Sequence, residues 1–209
     1  QQLYEGIDLG AEGAEGLITY MRTDTVRVAP EAQEEARGWI AGRLGRECLP
    51  DAPPVYRSRG SAQEAHEAIR PSEVRHDPKA VARFLSKDQL ALYRLVWERF
   101  LASQMMPAVY DTVSAEIDAT PGRCLFRAQG AVLRFKGFTA VYEESREEEA
   151  VAADEDAEGA MPQLEEGETL RLLLLDPRQH FTQPPPRYTE ASLIKALEEL
   201  GIGRPSTYA

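Results

Sequence analysis

No stretch of this 209-residue chain approaches the roughly 20 consecutive apolar residues that cross a bilayer, and no basic segment followed by an apolar run opens it. Neither a membrane span nor a signal peptide is legible, and no membrane partner is expected. Cysteine is scarce: Cys48 and Cys124 lie far apart, with no Cys or His beside either. That pattern excludes a disulfide framework and a cysteine metal cluster, and it reads as two reduced thiols of a cytosolic protein. No internal repeat of 20–50 residues is present. A surplus of positive charge is also missing. The formal net charge is -11 and the pI about 4.9, which as totals argue against nucleic acid.

The distribution of charge reverses that inference. Residues 143–168 hold twelve acidic residues and a single base, Arg146, so this segment accounts for the whole imbalance. The remainder is neutral and free to present a local basic face. The acidic stretch has few aromatics and reads as a mobile insert. Its DEDAE run, 154–158, resembles a metal-binding acid triplet only superficially, and a solvated linker is the better reading. No DxDxE run occurs elsewhere.

What is present is 43% hydrophobic residues, enough for a sizeable core. The chain begins on QQLYEG, which reads as the middle of a helix, and stops at STYA; both ends look cut from something longer. A Gly-rich turn leads into GLITYM, a short strand. Pro30 opens a helix to about Cys48. AQEAHEAIRP reads as a short helix closed by Pro71. Residues 78–104 are helical, with Leu92, Leu95, Val96, Phe100 and Leu101 at three- and four-residue spacing. From Pro107 the period changes: VYDTVSAEIDA, RCLFRAQG, AVLRFKGFTAVY and ETLRLLLLD are strand-like. The junction at Met106–Pro107 is a candidate hinge. A last helix, capped by Thr189, carries Leu193, Ile194 and Leu197 on one face and ends at Gly201. The class is therefore mixed α/β, of the α+β kind.

Three clusters carry candidate chemistry. On a strand, Tyr20 and Arg22 share a face. A phenol with a pKa near ~10 is a poor nucleophile; a guanidinium beside it favours the phenolate and holds a phosphate. His66 and Arg70, four apart on a helix, share a face. GIGRPSTYA, 201–209, offers Arg204, Ser206, Thr207 and free backbone N–H groups at a helix start. Each has an ordinary alternative: a core tyrosine, a solvent-facing helix, a helix stop.

Together, GLITYMRTD, AQEAHEAIRP and YTEASLIKALEELGIGRPSTYA, in that order, resemble the bacterial type IA DNA topoisomerases, specifically topoisomerase I. QQLYEG and QHFTQPPPRYTEASL fit the same family, and the resemblance runs the length of the chain, most weakly across the acidic insert. Met21 favours topoisomerase I over topoisomerase III; Thr25 stands where Ser is more usual.

The resemblance implies that Tyr20 is the nucleophile that forms a 5′-phosphotyrosine, with no need of ATP. Arg22 stabilises the scissile phosphate, and His66 binds phosphate or positions the nucleophile. It implies DNA contacts for Arg204, Ser206 and Thr207, and more loosely for Gln2; Arg70, from its place beside His66, is expected to clamp a phosphate of the DNA or hold a neighbouring acid. Mg²⁺ belongs to a toprim domain that this chain lacks, as it lacks the zinc-ribbon tail, so no metal or other cofactor is expected here. The implied architecture is a mainly helical nucleophile domain, 1–106; part of a β arch, 107–188; and the start of a helical DNA-binding domain, 189–209. The implied partners are single-stranded and negatively supercoiled DNA and the remaining domains of the same polypeptide, in the bacterial cytoplasm at the nucleoid. The chain alone is expected to be inactive. A non-catalytic single-strand-binding module and a protein-interaction domain are the competing readings.

Overall fold

The computed structural model describes residues 1–21, 25–56, 66–119, 124–143, 164–203 and 207. The chain divides into two compact units, Gln1–Asp111 with Leu133–Ala153, and Thr112–Val132 with Asp154–Ala209. The mixed α+β class expected from the sequence is the one observed.

The first unit opens with the single-turn helix α1, Gln2–Glu5, and a small antiparallel hairpin of β1, Ile7–Asp8, and β2, Ala14–Glu15. Helix α2, Pro30–Arg43, starts on a proline, where the missing N–H has no partner to lose. It buries Ala32, Ala36 and Ile40, four residues apart, on one face. It stops earlier than the sequence suggested. Gly45 takes φ +102°, outside the helical range, and only a 3₁₀ turn, Arg46–Cys48, follows.

The second helical region divides for a local reason. The Asp77 carboxylate caps α3, Pro78–Val81, by accepting the Lys79 N–H. Ser86 and Gln89 then form a capping box that starts a new helix, α4, Lys87–Ser103. The buried face of α4 is Tyr93, Trp97, Phe100 and Leu101, whereas Leu92 and Leu95 are exposed. Aromatic side chains took the inner face because their polar tips find partners there. The Tyr93 hydroxyl donates to the His76 carbonyl at 2.6 Å, and Trp97 Nε1 to the Val74 carbonyl at 3.1 Å. Burial accordingly raises the Tyr93 pKa far above its ordinary value. Trp39 of α2 meets Trp97 edge to face at 5.0 Å. The Glu35 carboxylate accepts the Val74 and Arg75 N–H groups, so the 73–77 loop is bound to both helices.

Strands β3, Val109–Ala119, and β4, Cys124–Phe135, pair as a two-stranded sheet. A connection this short obliges them to run antiparallel. RCLFRAQG and AVLRF join as one strand, and GFTA turns into a 3₁₀ segment, Gly137–Ala140. Met106 is held on both sides. Its N–H donates to Cys48 O at 2.8 Å, and its carbonyl accepts from Phe138 N at 2.9 Å. The division between the two units falls inside the strands, at Asp111 and Leu133. Gly137 sits at φ +49°, and a Cβ there would fall on the carbonyl oxygens of Pro107 and Met106. Gly137→Ala is expected to cost about 2 kcal/mol or more of stability, read as a lower denaturation midpoint at unchanged slope.

In the second unit, helix α5, Glu190–Glu199, begins at Thr189, whose side chain accepts the Ser192 N–H in a capping box. The segment ETLRLLLLD is not a strand. Leu172–Leu175 are 60–79% exposed, and no described residue pairs with their backbone; β-propensity without a partner edge makes no ladder. Cys48 is buried and Cys124 exposed, both as free thiols. Among the described residues, no helix is long and apolar enough to cross a membrane.

Candidate active site

The segment that carries Tyr20 is extended but is not a full strand. One antiparallel bridge, Ile18 with Pro71, is all the pairing it has. Main-chain bonds extend it on both sides. Leu17 and Ile18 N–H groups donate to Leu3 O at 2.7 and 3.2 Å, Thr19 N donates to Arg70 O at 2.9 Å, and Ser72 N to Leu17 O at 2.9 Å. The Thr19 hydroxyl donates to Ala68 O at 2.7 Å and accepts from Arg70 N at 3.0 Å. Leu17 and Ile18 are buried, which fixes the segment in depth.

This pairing also corrects the expected helix over AQEAHEAIRP. Its described part, 66–71, runs alongside 17–19 instead, with Ala68 N donating to Arg27 O at 2.8 Å. A helix would have satisfied these backbone groups internally; the nucleophile segment satisfies them here. The result brings GLITYMRTD, the described part of AQEAHEAIRP and QQLYEG together. Tyr20, 39% exposed, makes edge-to-face contacts with His66 at 5.7 Å and with Tyr4 at 5.4 Å.

Arg70 faces inward. Its Nε and Nη2 grip the Glu67 carboxylate at 2.8 Å each, and Nη1 donates to the carbonyls of Pro71 and Ser72. With a side chain only 12% exposed, it braces the loop that presents His66. Gln2 lies on α1, its side-chain oxygen accepting from Gln89 Nε2 at 2.7 Å. Thr207 belongs to the second unit. Arg22, Arg204, Ser206 and the DEDAE run lie outside the described residues.

The whole chain, residues 1–209, matches the family model for DNA topoisomerase. This chain belongs to the DNA topoisomerase family. Among solved structures it is similar to full-length topoisomerase I from Thermotoga maritima, with a TM-score of 0.81 and 39% identity over all of this chain. The chain spans 32% of that protein's length. The resemblance drawn from the three motifs, to a bacterial type IA enzyme, is upheld by both comparisons.

Sequence reading of this topoisomerase chain missed Thr19, Glu67, Gly16 and Tyr4. All four lie inside quoted stretches, but the partners of Thr19 and Glu67 are about fifty residues away or set by a loop conformation, so no local signal marks those two. A Cβ on Gly16 would stand 2.6 Å from Tyr4 O, which is why the approach of α1 to this segment needs glycine.

The first unit also has a concavity away from these motifs. A cavity of about 540 Å³ is lined by Leu9, Glu12, His76, Val81 and Phe84, among others, and by none of the motif residues. There His76 Nε2 meets the Glu12 carboxylate at 3.0 Å. That hydrogen bond, with the nearby Arg75 charge, holds the Glu12 carboxyl below its ordinary range.

Proposed function

We propose that this chain carries the nucleophile of an ATP-independent type IA topoisomerase that relaxes negatively supercoiled DNA by cutting, passing and resealing one strand. The supporting observation is the convergence of Tyr20 with His66, held by backbone bonds that join two distant motifs. In the reaction the Tyr20 oxygen bonds to the phosphorus, and the bond from phosphorus to the 3′ oxygen breaks. The tyrosine gives up its proton, and the released 3′-hydroxyl gains one. The 5′-phosphotyrosine keeps the energy of the broken bond, so reversal reseals the strand. Arg22 stabilises charge on the phosphate. His66 positions the phenol or the phosphate.

Among the described residues, no group of three or more His, Cys, Asp or Glu is placed to hold a metal ion. Mg²⁺ would be held by a toprim domain of the same polypeptide, where it would supply charge stabilisation at the phosphate. Residues 1–106 serve as the nucleophile domain, 107–188 as part of the arch, and 189–209, with Arg204, Ser206 and Thr207, as the start of a single-strand-binding domain. Gln2, on α1, stands near the helix that leads to the nucleophile. The enzyme works on DNA at the nucleoid.

The test is complementation. This chain alone is expected to neither cleave nor relax plasmid DNA. Supplying a toprim-containing portion with Mg²⁺ is expected to trap the chain covalently on labelled single-stranded DNA. Robust relaxation by the isolated chain, or no adduct on complementation, would overturn the reading.

A further inference from the structure

Tyr4 is the one member of the aromatic row to which neither the motifs nor the family likeness gives a task. Its backbone is fixed with unusual firmness for a residue in a single-turn helix, an element that is not stable alone. The neighbouring Leu3 is buried, and Leu3 O accepts both Leu17 and Ile18 N–H groups. The Tyr4 carbonyl lies against Gly16 more closely than any side chain would permit. Yet Tyr4 as a residue is 41% exposed, with its ring in edge-to-face contact with Tyr20. The fold therefore locks a large ring beside the nucleophile without burying it. Core packing does not account for that placement, because the ring forgoes the burial its area would gain.

We propose that the exposed face of Tyr4 is a stacking subsite for a nucleobase of the cleaved strand, and so sets which nucleotide presents its phosphate to Tyr20. This rests on the reading of Tyr20 as the nucleophile. Aromatic faces accept any base by stacking, without reading its edges. The Tyr4 and Tyr20 ring centres stand 5.4 Å apart, so a base lying on Tyr4 would sit close to the phosphate that meets Tyr20. Because α1 and the Tyr20 segment are bonded to each other, this subsite keeps a fixed distance from the reacting oxygen.

The experiment measures binding of single-stranded oligonucleotides, each with one abasic position, to a full-length polypeptide containing this chain. A Tyr20→Phe background separates binding from cleavage. One abasic position near the cleavage site is expected to weaken binding about tenfold. That penalty disappears when Tyr4→Ala is added and survives Tyr4→Phe, which keeps the ring. In the cleavage-competent protein, Tyr4→Ala is expected to spread capture over neighbouring phosphates. An abasic penalty of the same size with and without the Tyr4 ring overturns the proposal, as does an unchanged cleavage position. Failure of the nucleophile reading shows separately, as absence of any Tyr20-dependent adduct from the wild-type protein.

Discussion

Tyr20→Phe is expected to abolish covalent capture of DNA by the complemented protein while leaving its fold and its single-strand affinity in place. The substitution removes one oxygen and keeps the ring, so the edge contacts with Tyr4 and His66 persist. The ring is 39% exposed, and Leu17 and Ile18 hold the segment from below. Stability should therefore stay within about 0.5 kcal/mol of wild type. The adduct should fall by more than about a thousandfold, because no positioning group substitutes for the atom that bonds to phosphorus. Denaturing electrophoresis of labelled DNA reads the adduct, and thermal melting reads the fold. An adduct that survives the substitution transfers the nucleophile to another side chain. Loss of adduct together with loss of folding makes Tyr20 a core residue. A non-catalytic single-strand-binding module predicts no adduct from either protein.

The features legible in the sequence were the ones set by local chemistry. Thr189 as a cap, Pro30 at a helix start and the glycine stop at Gly201 need only neighbouring residues, and each stands where it was read. Tyr20 and His66 were legible as motifs, and the structure places their rings in contact. What defeated the reading was non-local. The strand expected at GLITYM needed a partner ladder, and only Ile18 found one. The helix expected at His66–Arg70 lost its backbone donors to a segment about fifty residues earlier. On α4, spacing alone admitted two apolar faces. The loop carbonyls of Val74 and His76 chose the one with Trp97 and Tyr93. ETLRLLLLD has the composition of a strand and no described edge to join.

Arg70→Ala tests whether this guanidinium grips DNA or grips the loop. The geometry favours the loop: two nitrogens hold Glu67, and the third donates to two carbonyls, in a side chain only 12% exposed. Removing it leaves Glu67 and those carbonyls short of donors, at an expected cost of about 2–3 kcal/mol. Capture should fall with it, because residues 66–70 present His66 to Tyr20. Arg70→Lys keeps the charge but cannot span a carboxylate and two carbonyls at once, so it should rescue little. A phosphate contact predicts different numbers. Losing one lowers the salt dependence of single-strand binding by about 0.7 in slope, and lysine restores most of it. A lowered melting midpoint with an unchanged salt slope therefore identifies Arg70 as the brace. A normal midpoint with a reduced slope would show that Arg70 leaves Glu67 for the backbone of the bound strand, and the two carbonyls would then need another donor in the complex.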